Sequence, residues 1–164
     1  MDIVVRKARI EDLVAINGLT DAMHNYLASL YGLELSKKEL EEEHFGEEEL
    51  ENTYVAENVE EGIVGYMCFS KGRDEWTGLR YEIEHIVVRE DLRGLGIGRK
   101  LFEILLQRAT REGVNITTGT LTRDKGALRF YKKLGFKPFS IGLLLDLQRR
   151  ALIKSSPTRS TAPK

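Results

Sequence analysis

Residues 89–99 read REDLRGLGIGR. They follow a β-branched run, YEIEHIVV (81–88), and precede KLFEILLQRA (100–109), in which apolar residues recur at helical spacing. Three glycines at alternate positions, Gly94, Gly96 and Gly98, therefore stand between a predicted strand and a predicted helix. Glycine lets backbone amides approach a ligand without a Cβ in the way, and a helix N-terminus offers unpaired N–H groups carrying about half a positive charge. Such a turn suits a phosphate. Two familiar phosphate loops do not fit: no Gly-Lys-Ser/Thr follows at P-loop spacing, and GxGxxG would need glycine where Arg99 or Leu101 stands, with no Asp or Glu near 114–120 for a ribose. A tight strand-to-helix turn without a ligand would also use glycine.

Upstream, IVVRKAR (3–9) reads as a strand, and EDLVAINGLTDAMHNYLASLY (11–31) carries Leu13, Ile16, Met23, Leu27 and Leu30 near helical spacing. SKKELEEEHF opens with a capping box, Ser36 and Glu39, and predicts a second, shorter helix before Gly46. TYVAEN (53–58) and GIVGYMCFS (62–70) are predicted strands, and KGRDEWTGLR (71–80) is a predicted loop into YEIEHIVV, so the middle of the chain reads as an antiparallel meander. Downstream, the helix after the glycines is ended by Gly113 and NITTGTL (115–121) is β-prone, which makes a βαβ unit. DKGALRFYKKLG (124–135) predicts a short helix with Asp124 as N-cap, Ala127, Tyr131 and Leu134 on one face, and Gly135 after its end. FSIGLLLDL (139–147) reads as a last strand, and KSSPTRSTAPK (154–164) as a disordered tail behind a single domain over 1–153. Meander followed by crossover implies an α+β domain with a mixed sheet.

The chain has 164 residues, 41% hydrophobic and 31% charged, enough for one core. Its formal charge of −1 argues against a general nucleic-acid binder, and no apolar run approaches the roughly 20 residues that span a bilayer. No secretory signal precedes the first strand, and a single cysteine forms no intrachain disulfide, so a cytoplasmic protein is expected. Cys68, inside the apolar run IVGYMCF, reads as a buried inert thiol.

The glycine stretch fits RxxGxG, formed by Arg93, Gly96 and Gly98, between a β-branched strand and an amphipathic helix. It resembles the acetyl-CoA loop of the GNAT superfamily of N-acetyltransferases, and ALRFYKKLGF (127–136) resembles that family's AxxFYxxxGF segment. The resemblance covers roughly residues 80–147 closely. It implies a GNAT-type acyl-CoA N-acyltransferase fold with a mixed central sheet of about six to seven strands and about four helices. It also implies acetyl-CoA as co-substrate without a metal, and an amine acceptor. Neither nucleic acid nor membrane is an expected partner, and a homodimer is compatible with it. By position, the backbone of Ile86, Val87 and Val88 would pair with the pantetheine arm. Arg93, Gly94, Leu95, Gly96, Ile97, Gly98 and Arg99 would hold the phosphates, and Tyr131 would meet the cofactor and protonate the departing thiolate. One departure is Asp124, where the family often has Asn; a carboxylate caps a helix equally well but does not favour a nearby phosphate. Glu90 and Asp91 are expected to turn to solvent for the same reason.

Acetyl transfer to an amine needs a neutral nucleophile, a polarised carbonyl and a proton for the leaving thiolate. An alkyl ammonium of pKa about 10.4 is neutral about once in 2,500 molecules at pH 7, a cost of roughly 4–5 kcal/mol that a carboxylate, directly or through water, would reduce. Strand alternation places Glu82, Glu84, Ile86 and Val88 on one face and Tyr81, Ile83, His85 and Val87 on the other. Glu84, which matches an acidic position in polyamine-type members, is the preferred base or ammonium anchor, with Glu82 in reserve and His85 as a hydrogen-bonded structural residue. A strand-end amide near Val88 would polarise the carbonyl, and transfer would run in one ternary complex without an acyl-enzyme. Eight glutamates within 39–51 would attract a basic acceptor, or form a solvated face with Lys37 and Lys38 paired to Glu41 and Glu42. A small basic amine is the expected acceptor; protein lysine or N-terminal acetylation, and a non-catalytic acetyl-CoA sensing module, are the alternatives.

Overall fold

Period-two apolar patterning in the first half of the chain builds a sheet, and period-3.6 patterning flanks it with helices. The computed structural model describes residues 2–145. In chain order the elements are β1 (Ile3–Lys7), α1 (Leu13–Ser29), α2 (Lys37–Glu41), β2 (Thr53–Asn58), β3 (Gly62–Asp74), β4 (Gly78–Val88), α3 (Ile97–Glu112), β5 (Asn115–Thr118) and α4 (Lys125–Lys133). The strands lie in the order β1-β2-β3-β4-β5. The first four pair antiparallel and β4 pairs β5 in parallel, the mixed sheet that the meander and crossover implied.

Two helices cover opposite faces. On one, Leu101, Leu105 and Ala109 of α3 pack on Met67, Phe69, Tyr81 and Ile83; on the other, Ile16 of α1 packs with Val55, Tyr66, Cys68 and Val87. Cys68 is buried as expected, and burial pushes its thiol up to about 12, so it stays protonated and inert at neutral pH.

Two expectations change. The region 71–80 is not a loop: β3 runs on to Asp74 and β4 begins at Gly78, because Arg80 bridges Asp74 and Glu82, and the Asp74 carboxylate accepts from the Trp76 and Thr77 amides to close a tight turn. Along 139–145 there is no strand, so the described residues form five strands rather than six or seven. Phe139, Ile141, Leu143 and Leu145 are instead exposed; alternation specifies a face but supplies no partner. The last two residues of that predicted strand, the end of the predicted domain and the predicted tail lie outside the described residues. Among the described residues no helix is long and apolar enough to cross a membrane.

A β-bulge corrects the faces of β4. Cys68 pairs His85, but the next β3 residue, Phe69, pairs Ile83, so Glu84 is the extra residue. Before the bulge Tyr81 and Ile83 face α3; after it Ile86 and Val88 do, while His85 and Val87 face α1. Glu84 accepts a hydrogen bond from Ser70 Oγ at 2.5 Å, and Ser70 alternates with Cys68 on the α1 side. His85 and Glu84 therefore share a face, where unbroken alternation had separated them.

Candidate active site

The β4–β5 ladder ends at Ile83↔Thr118, and β4 continues for five more residues, to Val88, without β5 beside it. The strands part over a cavity of about 1040 Å³. Its walls are residues 84–88 of β4, the glycine loop, His24 and Tyr26 of α1, and Asp124, Phe130 and Tyr131 at α4. Two sequence-predicted groups, residues 86–88 and the loop 93–99 apart from the exposed Leu95, thus line one space with Glu84 and Tyr131.

Each loop glycine has its own reason. Gly94 and Gly96 both hold φ near +84°, where a side chain is strained, and Gly96 is the N-cap that turns the chain into α3. Gly98 lies against α4, where a methyl group would press on the Phe130 ring at 3.2 Å. Gly96, Ile97, Gly98 and Arg99, at the start of α3, line the cavity, and the unpaired amides of a helix's first turn favour an anion. Leu92 is buried beneath the loop. Arg93 Nε donates to the Val88 carbonyl at 3.2 Å, and its guanidinium lies 5.4 Å from the Tyr26 ring centroid, which holds a positive charge at the end of β4. Arg99 Nε instead reaches Glu103 on the exposed face of α3, 3.2 Å away. Glu90 and Asp91 are exposed, and Asp91 is paired with Arg89.

Tyr131 stands edge-on to Phe130 and Phe136, both with ring centroids at 5.4 Å. Burial raises its phenol pKa, the Thr118 side chain pulls it back, and Asp124 adds a smaller upward push, so it is a protonated donor through the neutral range. Asp124 is buried, accepts the Ala127 amide at 2.9 Å as N-cap of α4, and accepts the Tyr26 hydroxyl at 3.3 Å. Its carboxylate thus ties α1 to α4, a structural task already accounting for its place.

His85 is hydrogen-bonded, as the sequence reading expected, but three sets of its neighbours were not foreseen. His85 Nδ1 lies 3.1 Å from the Tyr66 hydroxyl, which lies 2.7 Å from Thr20 Oγ1. His24 meets His85 edge-on with centroids 5.8 Å apart, and its Nδ1 is buried without a hydrogen-bond partner. Phe45 stacks on His85 at 5.7 Å, and Asn17 clamps the Phe45 backbone through both its amide atoms. The one visible signal was the doubled polar pair Glu84-His85, which interrupts alternation in YEIEHIVV. In the acidic stretch the capping box of Ser36 and Glu39 is formed, and the exposed pairs Lys37–Glu41 (3.5 Å) and Lys38–Glu42 (3.8 Å) are present. Phe45 anchors the rest of that stretch beside the α1 side of the site.

Known proteins resemble this chain in sequence and fold. The family described as "Acetyltransferase (GNAT) family" matches residues 20–136. The peptidyl-lysine N-acetyltransferase YjaB of Escherichia coli strain K12 is 33% identical over 141 residues, covering 84% of this chain and 84% of its own. A thialysine N-epsilon-acetyltransferase of Bos taurus is 27% identical over 141 residues, covering 81% and 83%. The PaiA N-acetyltransferase of Thermoplasma acidophilum, solved in complex with coenzyme A, shares the fold with a TM-score of 0.66 at 18% identity, over 84% of this chain and 91% of that one. A family match across most of the chain, a relative aligned along most of both sequences, and a parted sheet beside a glycine-capped helix agree: the chain belongs to the acetyltransferase (GNAT) family and is an N-acetyltransferase that uses acetyl-CoA.

Proposed function

We propose that the acceptor is a small basic primary amine, attacked directly in a ternary complex with acetyl-CoA. The observation that carries this reading is the placement of Glu84: an exposed carboxylate at the β4 bulge, lining the same cavity as the loop and Tyr131. The unpaired edge of β4 over 86–88 suits the amide-rich pantetheine arm, as one more strand would. The amides of 93–99 and the Arg93 guanidinium suit its phosphates. Tyr131 donates the proton that the sulfur takes as the C–S bond breaks. Glu84 holds the positive charge of the incoming amine, and the glutamates around Phe45 add to the attraction.

Relatives named for thialysine and for peptidyl-lysine support a lysine-like alkyl amine. The second of these favours a lysine side chain in a peptide as the other reading. A panel of polyamines, basic amino acids and lysine peptides, with acetylated product read by mass spectrometry, separates the two. Turnover of free amines well above that of peptides supports the small-molecule reading; the reverse order overturns it. The buried lone thiol accords with a cytoplasmic setting.

A further inference from the structure

Thr20 has one hydroxyl proton, and it goes to the Ile16 carbonyl at 2.9 Å. Its oxygen must then accept from Tyr66, which uses the Tyr66 proton, so the Tyr66 oxygen must accept from His85. The donors run in one direction: His85 Nδ1–H to Tyr66 O–H to Thr20 O–H to the Ile16 carbonyl. Tyr66 and Thr20 are wholly buried, so no water competes for these positions. A neutral imidazole carrying its proton on Nδ1 has its lone pair on Nε2, and the His85 side chain lines the cavity on the face it shares with Glu84.

We propose that His85 is the proton acceptor of the transfer, its Nε2 taking the proton that the acceptor nitrogen loses as it bonds to the acetyl carbon. This rests on the proposed function, and it leaves Glu84 to hold the substrate charge. The ammonium first releases one H⁺ to solvent, which frees the nitrogen lone pair; the neutral nitrogen then forms a bond to the carbonyl carbon and gives a second H⁺ to His85 Nε2, the C–S bond breaks, and the sulfur takes H⁺ from Tyr131. Solvent then returns a proton from His85 to the Tyr131 phenolate, and the products are an amide, free thiol and the one H⁺ released at the start. Several groups face the ring. His24 of α1 lies edge-on, Tyr66 holds Nδ1, Cys68 lies opposite on β3, and the charges of Glu84 and of Glu43 lie near it. Burial first, and then His24, hold the imidazole pKa below its ordinary value, while the two glutamates act in the opposite direction. His85 is therefore neutral at pH 7.

The test is kcat against pH at saturating acetyl-CoA and amine, for the wild type, His85→Gln and Tyr66→Phe, with the acetyl-CoA-induced rise in Tm as a check on folding and binding. The wild type should lose kcat on the acid side with a midpoint below about 6.5. His85→Gln should lower kcat about 10²-fold or more and abolish that limb while still binding acetyl-CoA. Tyr66→Phe, which frees Nδ1 but keeps the ring, should move the limb and cost less. In the wild type, ¹⁵N NMR should find His85 protonated at Nδ1 and bare at Nε2, a readout independent of turnover and of whether either variant folds. An active wild type whose kcat and acid limb survive His85→Gln overturns this proposal alone, as does the opposite tautomer. A wild type that binds acetyl-CoA but acetylates no amine overturns the proposed function and this proposal with it.

Discussion

A Cβ on Gly98, in the first turn of α3, would sit 3.2 Å from both Cε2 and Cζ of the Phe130 ring on α4. This close approach sets how far the phosphate loop stands from the helix carrying Tyr131. Gly98→Ala should displace Phe130 by a few tenths of an ångström, destabilise the fold by about 1–3 kcal/mol and lower kcat through the neighbouring tyrosine. Thermal melts alongside steady-state rates check it; an alanine variant with unchanged Tm and kcat would show that α4 yields freely.

Acetyl-CoA at about 100 times its Kd should raise stability by about 2.7 kcal/mol, a shift of about 5–10 °C in Tm. Gly96→Glu should abolish the shift, since it forces a side chain onto φ near +84° and sets a carboxylate at the helix terminus meant for phosphate. A folded variant binding acetyl-CoA as tightly as wild type would remove the loop from the cofactor site.

Tyr131→Phe keeps the ring between Phe130 and Phe136 but removes the hydroxyl. It should lower kcat by about 10²- to 10⁴-fold with acetyl-CoA affinity nearly unchanged. Wild-type kcat in the variant would leave Tyr131 as a packing residue of α4.

Glu84→Gln should raise KM for a basic amine by about tenfold and change kcat little, because the amide keeps the bond from Ser70 but loses the charge. Acetylation of an uncharged amine at high pH should be nearly indifferent to the change. A fall confined to kcat would assign Glu84 a proton-transfer task and take it away from His85.

Away from the site, Arg6 Nη1 and Nη2 grip Asp12 at 2.7 and 2.9 Å, and Arg6 Nε bonds Glu57 at 2.6 Å. The Arg6 hydrogen bonds, more than any other influence, hold the Asp12 carboxyl below the usual carboxylate range. A depressed pKa contributes stability above the unfolded value of about 3.9, and that contribution is lost as pH falls through the lower folded value. Asp12→Asn should therefore cost about 1–3 kcal/mol at pH 7, a gap from wild type that narrows in acid melts. A gap independent of pH would mean that packing, not charge, explains it.

Local chemistry made much of this protein readable in advance. The loop glycines announced a strand-to-helix turn because a left-handed backbone and a close helix contact both disfavour a Cβ wherever they occur. Ser36 with Glu39, Asp124 and Gly113 marked helix ends because capping joins residues at most four apart. Tyr131 could be placed by its neighbours in one short motif. The faces of β4 could not be placed in this way. Whether Glu84 and His85 fall together depends on which β3 residue each pairs with, and the register slips there by one residue. The orientation of His85 depends on Tyr66 and Thr20, 19 residues away and a further 46 from it along the chain. The exposed 139–145 stretch has strand alternation without a paired neighbour. Periodicity is written by the chain's own geometry, whereas register, bulge and hydrogen-bond direction are settled between segments that meet only on folding.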